Sequence, residues 1–224
     1  MNLVAIMGSP HGMAGNTGQL LEALIGATKD AGAQVTLFCL GDMSVKPCRG
    51  CWACHKTGEC VIKDDFAQIK KALMEADGIV LASPNYIFSV SAQLKAMMDR
   101  CSCPIHCQAL DGRYGAAVVS SGGGGGEEIT DYAQRFLRSM GCWTVGGTSA
   151  TAPELAIRDS RAKALKRAAD LGRTLVKAIA QKKTYPEQAE ERTAFQERFR
   201  ELVAMHKDDW PYEFAWWQTK REQG

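Results

Sequence analysis

Gly8-Ser9-Pro10-His11-Gly12-Met13-Ala14-Gly15-Asn16-Thr17 links a short apolar run, Leu3–Met7, to a stretch in which Leu20, Leu21, Leu24, Ile25 and Thr28 share one helical stripe. A buried strand, a glycine-rich loop and an amphipathic helix, in that order, open a βαβ fold. Three glycines let backbone N–H groups converge, and Ser9, Asn16 and Thr17 add small hydroxyl and amide groups. With the partial positive charge of the helix start, the loop reads as an anion cradle suited to phosphate. It lacks the Gly-Lys-Ser/Thr ending of the nucleotide P-loop, and it is not the Gly-x-Gly-x-x-Gly dinucleotide fingerprint. An ordinary glycine-rich turn is the plainer alternative; position, length and residue types weigh against it.

Outward from this loop the alternation continues. Gln34–Leu40, Gly78–Ala82, Gly115–Ser120 and Cys142–Val145 read as further strands. Leu3–Met7, Gly78–Ala82 and Gly115–Ser120 are nearly continuous apolar runs, as parallel strands covered on both faces require. Phe66, Ile69, Ala72 and Leu73 mark a helix capped at Asp64 or Asp65; Ser91–Arg100 and Glu127–Met140 mark two more. With right-handed crossovers this pattern gives a doubly wound α/β sheet with helices on both faces. Leu165, Ala169, Leu175, Val176 and Ile179 form a closing helix, broken at Tyr185-Pro186, and Phe195, Phe199, Leu202 and Val203 share a face of the next. Residues 1–183 are expected to form the sheet domain, with a cysteine-rich insert at 47–61, and residues 184–224 a helical extension. Its Trp210, Tyr212, Phe214, Trp216 and Trp217 suit core cover, a lid over a ligand or an interface between copies of the chain, the last being favoured.

The bulk numbers agree. A chain of 224 residues with 46% apolar content buries a full core, and a net charge of +2 with no long like-charge run gives nucleic acid no footing. No stretch reaches the length of a membrane span. The apolar start lacks a basic region and a cleavage site, so a cytoplasmic location is expected.

Two further loops fall at the carboxyl ends of strands, where open α/β sheets bind ligands. Ser83-Pro84-Asn85-Tyr86-Ile87-Phe88-Ser89 sets an aromatic among small polar residues, which suits a flat ring with polar edges. Phe88 is expected in the core; for Tyr86, ring and core roles weigh equally. Ser120-Ser121 and the five glycines Gly122–Gly126 allow close backbone approach to such a ring.

Nine cysteines are unusual here, and in a reducing compartment clustered cysteines serve metal or redox chemistry. Cys48, Cys51, Cys54 and Cys60 are spaced C-x2-C-x2-C-x5-C, a compact run like the start of bacterial ferredoxin motifs. Structural zinc uses two separated knuckles, so the spacing favours a [4Fe–4S] cluster; zinc, free thiols and a redox disulfide stay open. Trp52 inside the motif is expected to pack. Cys101, Cys103 and Cys107, with His106, match no ligand pattern; a substrate-site or redox thiol stays open, but buried small hydrophobes are expected, as for Cys39 and Cys142 in strands.

Gly8-Ser9-Pro10, Gly15-Asn16-Thr17, Ser83-Pro84-Asn85-Tyr86 and Ser91-Ala92-Gln93-Leu94-Lys95 together resemble the NAD(P)H-dependent FMN reductase and iron–sulfur flavoprotein group, over roughly residues 1–150. The resemblance implies a flavodoxin-like sheet of five strands in the order 2-1-3-4-5. It implies that Ser9, His11, Gly15, Asn16 and Thr17 hold the FMN phosphate, His11 standing where the family often has Arg or Lys. Ser83, Pro84, Asn85, Tyr86 and Ile87 would line the ring, with Ser121, Gly122, Gly123, Gly124 and Glu127 of the glycine-rich loop against it. Cys48, Cys51, Cys54 and Cys60 would hold the cluster.

The expected function is that of an FMN-dependent oxidoreductase, with FMN and not a side chain carrying the chemistry. Ferredoxin or NAD(P)H would be the donor, and a quinone, oxygen or peroxide the acceptor, in a homodimer or homotetramer. Without a cluster the chain would be an NAD(P)H:FMN or quinone reductase. A non-enzymatic flavodoxin-type carrier is the rival, and the net charge of +2 speaks against it, since such carriers are strongly acidic. A zinc-stabilised binding protein without flavin is the third reading.

Overall fold

A computed structural model describes residues 1–222 of the chain. Strands β1 (Asn2–Met7), β2 (Gln34–Cys39), β3 (Gly78–Pro84), β4 (Tyr114–Ser121) and β5 (Trp143–Thr151) form one parallel sheet in the order β2-β1-β3-β4-β5. Helices α1 (Asn16–Asp30), α2 (Ala53–Thr57), α3 (Phe66–Glu75), α4 (Ala92–Asp99), α5 (Ser102–His106), α6 (Gly126–Ser139), α7 (Ala152–Ala156), α8 (Arg158–Ala180), α9 (Ala189–Met205) and α10 (Pro211–Glu222) follow in chain order.

The apolar runs of the central strands split by the two-residue period of a strand. Leu3, Ala5 and Met7 of β1 enter a core with Leu20, Leu21 and Leu24 of α1 and Ala164, Ala168 and Leu175 of α8. Val4 and Ile6 enter the opposite core with Phe66, Ile69, Leu94, Met97 and Leu137 of α3, α4 and α6. Both faces are thereby covered, which explains why these strands lack polar alternation.

The last strand runs further than its sequence suggests, to Thr151 and not Val145. Val145 is an extra residue there: Gly115 pairs with Thr144 and Ala116 with Gly146, whose φ of +124° only glycine adopts readily. Past this bulge β5 is a half-polar edge strand, with none of the apolar run that reveals a buried one. Cys142 is buried as expected, whereas Cys39 is only half-buried because β2 lies at the other edge.

Asp65, at the N-cap position of α3, makes no side-chain cap bond, and it is Asp64 that bonds the first turn. Asp65 accepts from Ser44 N–H (2.7 Å), and Asp64 accepts from Lys46 N–H (2.9 Å) as well as from Phe66 N–H (3.2 Å). The two carboxylates thus tie the start of the cysteine loop to its end.

The aromatic tail, expected to face another copy, packs on its own chain. Trp210 and Trp217 are buried with Phe199 and Val203 of α9. Trp216 Nε1 donates to Cys107 O (2.7 Å) and Trp217 Nε1 to His106 O (3.0 Å), fastening α10 over α5. No helix among the described residues is long and apolar enough to cross a membrane.

Candidate functional site

The loop after β1 is held from beneath. Gly8 N–H donates to Ala82 O of β3 (2.7 Å), and Ser91 Oγ donates to Gly8 O (2.6 Å) while accepting from Leu94 N–H (3.2 Å) as the cap of α4. Gly15 precedes α1 in an extended conformation and supplies no side-chain cap, so the first N–H groups of α1 are left for a ligand. The approach is close: a Cβ on Gly18 would lie 2.1 Å from Met13 O. Thr17 and Ser120 place their hydroxyl oxygens 2.6 Å apart, both residues buried.

A cavity of about 180 Å³ gathers this loop with the loops after β3 and β4. Ser9, His11, Gly15, Asn16, Thr17, Pro84, Asn85, Tyr86, Ser120, Ser121 and Gly122 line it, together with Ala152, which sequence reasoning missed. Asn85 decides what the cavity fits. Its Nδ2 donates to the carbonyls of Gly124 (3.2 Å) and Gly125 (3.3 Å), which leaves Oδ1 buried and without a partner. An orphaned buried acceptor is costly unless a ligand N–H completes it. An uncapped helix start with hydroxyls at one end, and an unpaired amide oxygen beside Tyr86 at the other, fit a phosphate joined to a ring with polar edges.

The remaining expected ligand residues sit elsewhere. Ser83 is buried and its hydroxyl is engaged, accepting from Ser91 N–H (2.9 Å) and donating to Pro84 O (2.8 Å). Gly124 and Glu127 line a neighbouring open cavity of about 780 Å³ that shares Ser121, and Gly123 lines neither. Ile87 and Phe88 are both 90% exposed at positive φ (47° and 60°), at the tip of a turn closed by Tyr86 and Ser89. Phe88 is therefore not a core residue; two apolar side chains stand in solvent beside the cavity.

Cys48, Cys51, Cys54 and Cys60 all line a second cavity, of about 260 Å³, with Trp52, His55, Arg100, Ser102, His106 and Trp210. The loop that carries them is clamped by one buried ion pair. Arg100 donates to both oxygens of Asp64 (2.9 and 3.1 Å), to Lys46 O (2.9 Å) and to Ile62 O (3.3 Å), so it grips both ends of the cysteine segment. Burial pushes the Asp64 carboxyl up, but Arg100 and the N–H donors outweigh it and hold the group below the usual carboxylate range. Gly50 and Trp52 take positive φ (62° and 59°) to turn the loop. Trp52 is 59% exposed and meets Trp210 edge-on at 6.3 Å, so it packs on one side only.

No three of the four thiols lie within single-ion reach of one another among the described residues. Two sulfurs on one zinc can be at most about 4.6 Å apart, twice the Zn–S bond. All four cysteines open onto one cavity, a donor set of four thiols that suits an iron–sulfur cluster. Burial, with the nearby Cys103 and Glu213, pushes the Cys54 thiol up to about 11, so loading a metal there releases a proton. Cys101, Cys103 and Cys107 are buried as expected, and Cys103 and Cys107 lie beside Glu213 of α10.

The two cavities sit at opposite ends of α4. Ser91 at its start braces the phosphate loop, while Asp99 and Arg100 at its end line the cysteine cavity. Eight helical residues span about 12 Å.

Comparison with known proteins agrees with this architecture. A family model described as NADPH-dependent FMN reductase matches residues 1–155. An iron–sulfur flavoprotein of Archaeoglobus fulgidus is 31% identical over 224 residues, covering 98% of this chain and 99% of that protein. An iron–sulfur flavoprotein of Methanocaldococcus jannaschii is 43% identical over 100 residues, 45% of this chain and 51% of that one. Among solved structures, a flavodoxin from the domain Archaea superposes with a TM-score of 0.53 at 17% identity, over 80% of this chain and 99% of that chain. That likeness establishes the flavodoxin-like fold.

Proposed function

The chain belongs to the NADPH-dependent FMN reductase family and its iron–sulfur flavoprotein group, and from that premise we propose that it passes electrons from NAD(P)H or ferredoxin through FMN to a small acceptor such as a quinone, oxygen or peroxide. It is a flavin-dependent oxidoreductase, and bound FMN supplies the hydride and electron chemistry. The residues hold and orient. Ser9, His11, Asn16 and Thr17, with the N–H groups opening α1, hold the phosphate. Asn85 Oδ1 would accept from a ring N–H, Tyr86 would lie against the ring, and Ser121 and Gly122 would offer backbone to its polar edge. The observation that carries this reading is the unpaired Asn85 oxygen in the cavity where three loops meet.

Cys48, Cys51, Cys54 and Cys60 would hold a [4Fe–4S] cluster in the second cavity, and such a cluster would supply one-electron chemistry. That all four thiols line one cavity supports a shared group, and their compact spacing in sequence favours a cluster over zinc. The exposed Ile87 and Phe88 beside the flavin cavity suit a contact in a homodimer or homotetramer.

Anaerobic stopped-flow spectroscopy tests the reading. Mixing the purified protein with NADPH, or with reduced ferredoxin, is expected to bleach the flavin band, and a quinone to restore it. A protein that carries no flavin and takes up none on titration with FMN contradicts it.

A further inference from the structure

One carboxylate is more deeply buried than any catalytic group this chain needs. Glu213, on α10, is 0% exposed and touches no Lys or Arg among the described residues. Its Oε1 meets His55 Nδ1 in a short contact, and its Oε2 meets His106 Nδ1 at 3.0 Å. An ionised carboxylate only accepts, so each Nδ1 carries the donated proton. Burial pushes the Glu213 carboxyl up, but the imidazoles of His106 and His55 outweigh it and keep the group below its usual range. The rings are further fixed by stacking: His55 on His106 (4.9 Å), and Trp210 on both (4.6 and 5.2 Å) as well as on His206 (4.3 Å).

His55 directly follows Cys54, and both His55 and His106 line the cysteine cavity. With Nδ1 of each ring bound to Glu213, Nε2 is the nitrogen each has left for a group held there. This is the arrangement by which a carboxylate orients imidazoles around a metal centre. Contacts of that kind, and the shell beyond the cysteines generally, set how tightly a cluster is kept and at what potential it is reduced.

We propose that Glu213 is a positioning residue of the cysteine site: from the C-terminal helix it fixes His55 and His106 as the inner wall of the cluster cavity. The proposal rests on the cluster reading above. It makes α10 part of the redox centre, so the aromatic extension is more than a cover for α5.

The test uses full-length protein prepared anaerobically, as parent and as E213Q, E213L and W216F. Iron and sulfide are counted, the cluster midpoint potential is measured, and bleaching by an iron chelator is timed. Glutamine keeps the shape but cannot accept from both rings equally, and leucine accepts from neither. E213L is expected to lose iron about tenfold faster than the parent, the scale of losing such a partner, and to shift the midpoint potential; E213Q is expected to move both readouts in the same direction by less. W216F removes an α10 anchor, the bond to Cys107 O, and is expected to lower the melting temperature without moving the potential. If E213L does not fold, the E213Q potential decides alone. Parent potential and bleaching rate in both Glu213 variants overturn the proposal, as does an equal shift in W216F. A parent that holds no iron and sulfide removes the cluster reading and this proposal with it; a loaded parent with indifferent variants removes this proposal only.

Discussion

At the scale of single residues the account turns on a few unmatched polar groups. His11 is the one imidazole lining the 180 Å³ cavity and stands beside the uncapped start of α1. Replacing it by alanine is expected to weaken FMN binding by about tenfold or more, the worth of one charge-assisted hydrogen bond. H11R should tighten binding, since a guanidinium bonds phosphate with a planar fork; equilibrium fluorescence titration reads both. Arg100 and Asp64 are 1% and 2% exposed, and breaking such a buried pair from one side costs about 3–5 kcal/mol. R100M should lower stability by that order in urea melts at neutral pH. Asp64 is held below its usual range in the folded chain, so its contribution is present above about pH 4 and fades as pH falls through the depressed folded value. The gap between parent and D64N should therefore narrow in melts repeated under acid conditions. Little of this was legible in sequence: the phosphate loop and the four cysteines announce themselves by spacing, but Arg100 lies at a helix end with no motif around it. Phe88 misled because an aromatic after a buried strand reads as core, whereas its positive φ turns it outward.

Elements show where local pattern suffices and where it fails. Each central strand and each covering helix of the sheet follows from apolar runs and stripes. β5 was read short because past the bulge at Val145 it is an edge, and edge strands need no continuous apolar signal. The links between the cysteine loop and α10 were illegible, since they join residues more than 100 positions apart: His55 with Glu213, and Gly58 with Tyr212. Gly58 closes α2 at φ +77°, and a Cβ there would lie 2.5 Å from the Tyr212 ring. G58A should push α10 off the loop, lowering stability by about 1–3 kcal/mol as overpacking does. A shift in the melting curve, with faster loss of iron than in the parent, would register both effects. An unchanged melt would show that the loop and α10 are not tightly packed there.

For the whole molecule, the doubly wound sheet sets two candidate redox sites on one frame. Three strand ends build the proposed flavin cavity, α4 spans to the cysteine cavity, and Trp210 of the C-terminal extension lines that second cavity. The family's chemistry thus occupies residues 1–155, while the far wall of the second site comes from residues beyond 205. The measurement that bears most directly on this account is an anaerobic absorption spectrum of the purified chain with flavin, iron, sulfide and zinc counted on the same sample. The account predicts one FMN per chain, roughly four iron and four sulfide, and a broad shoulder beside the flavin bands that bleaches on reduction. Zinc without iron, or a chain that carries neither flavin nor iron, would contradict it.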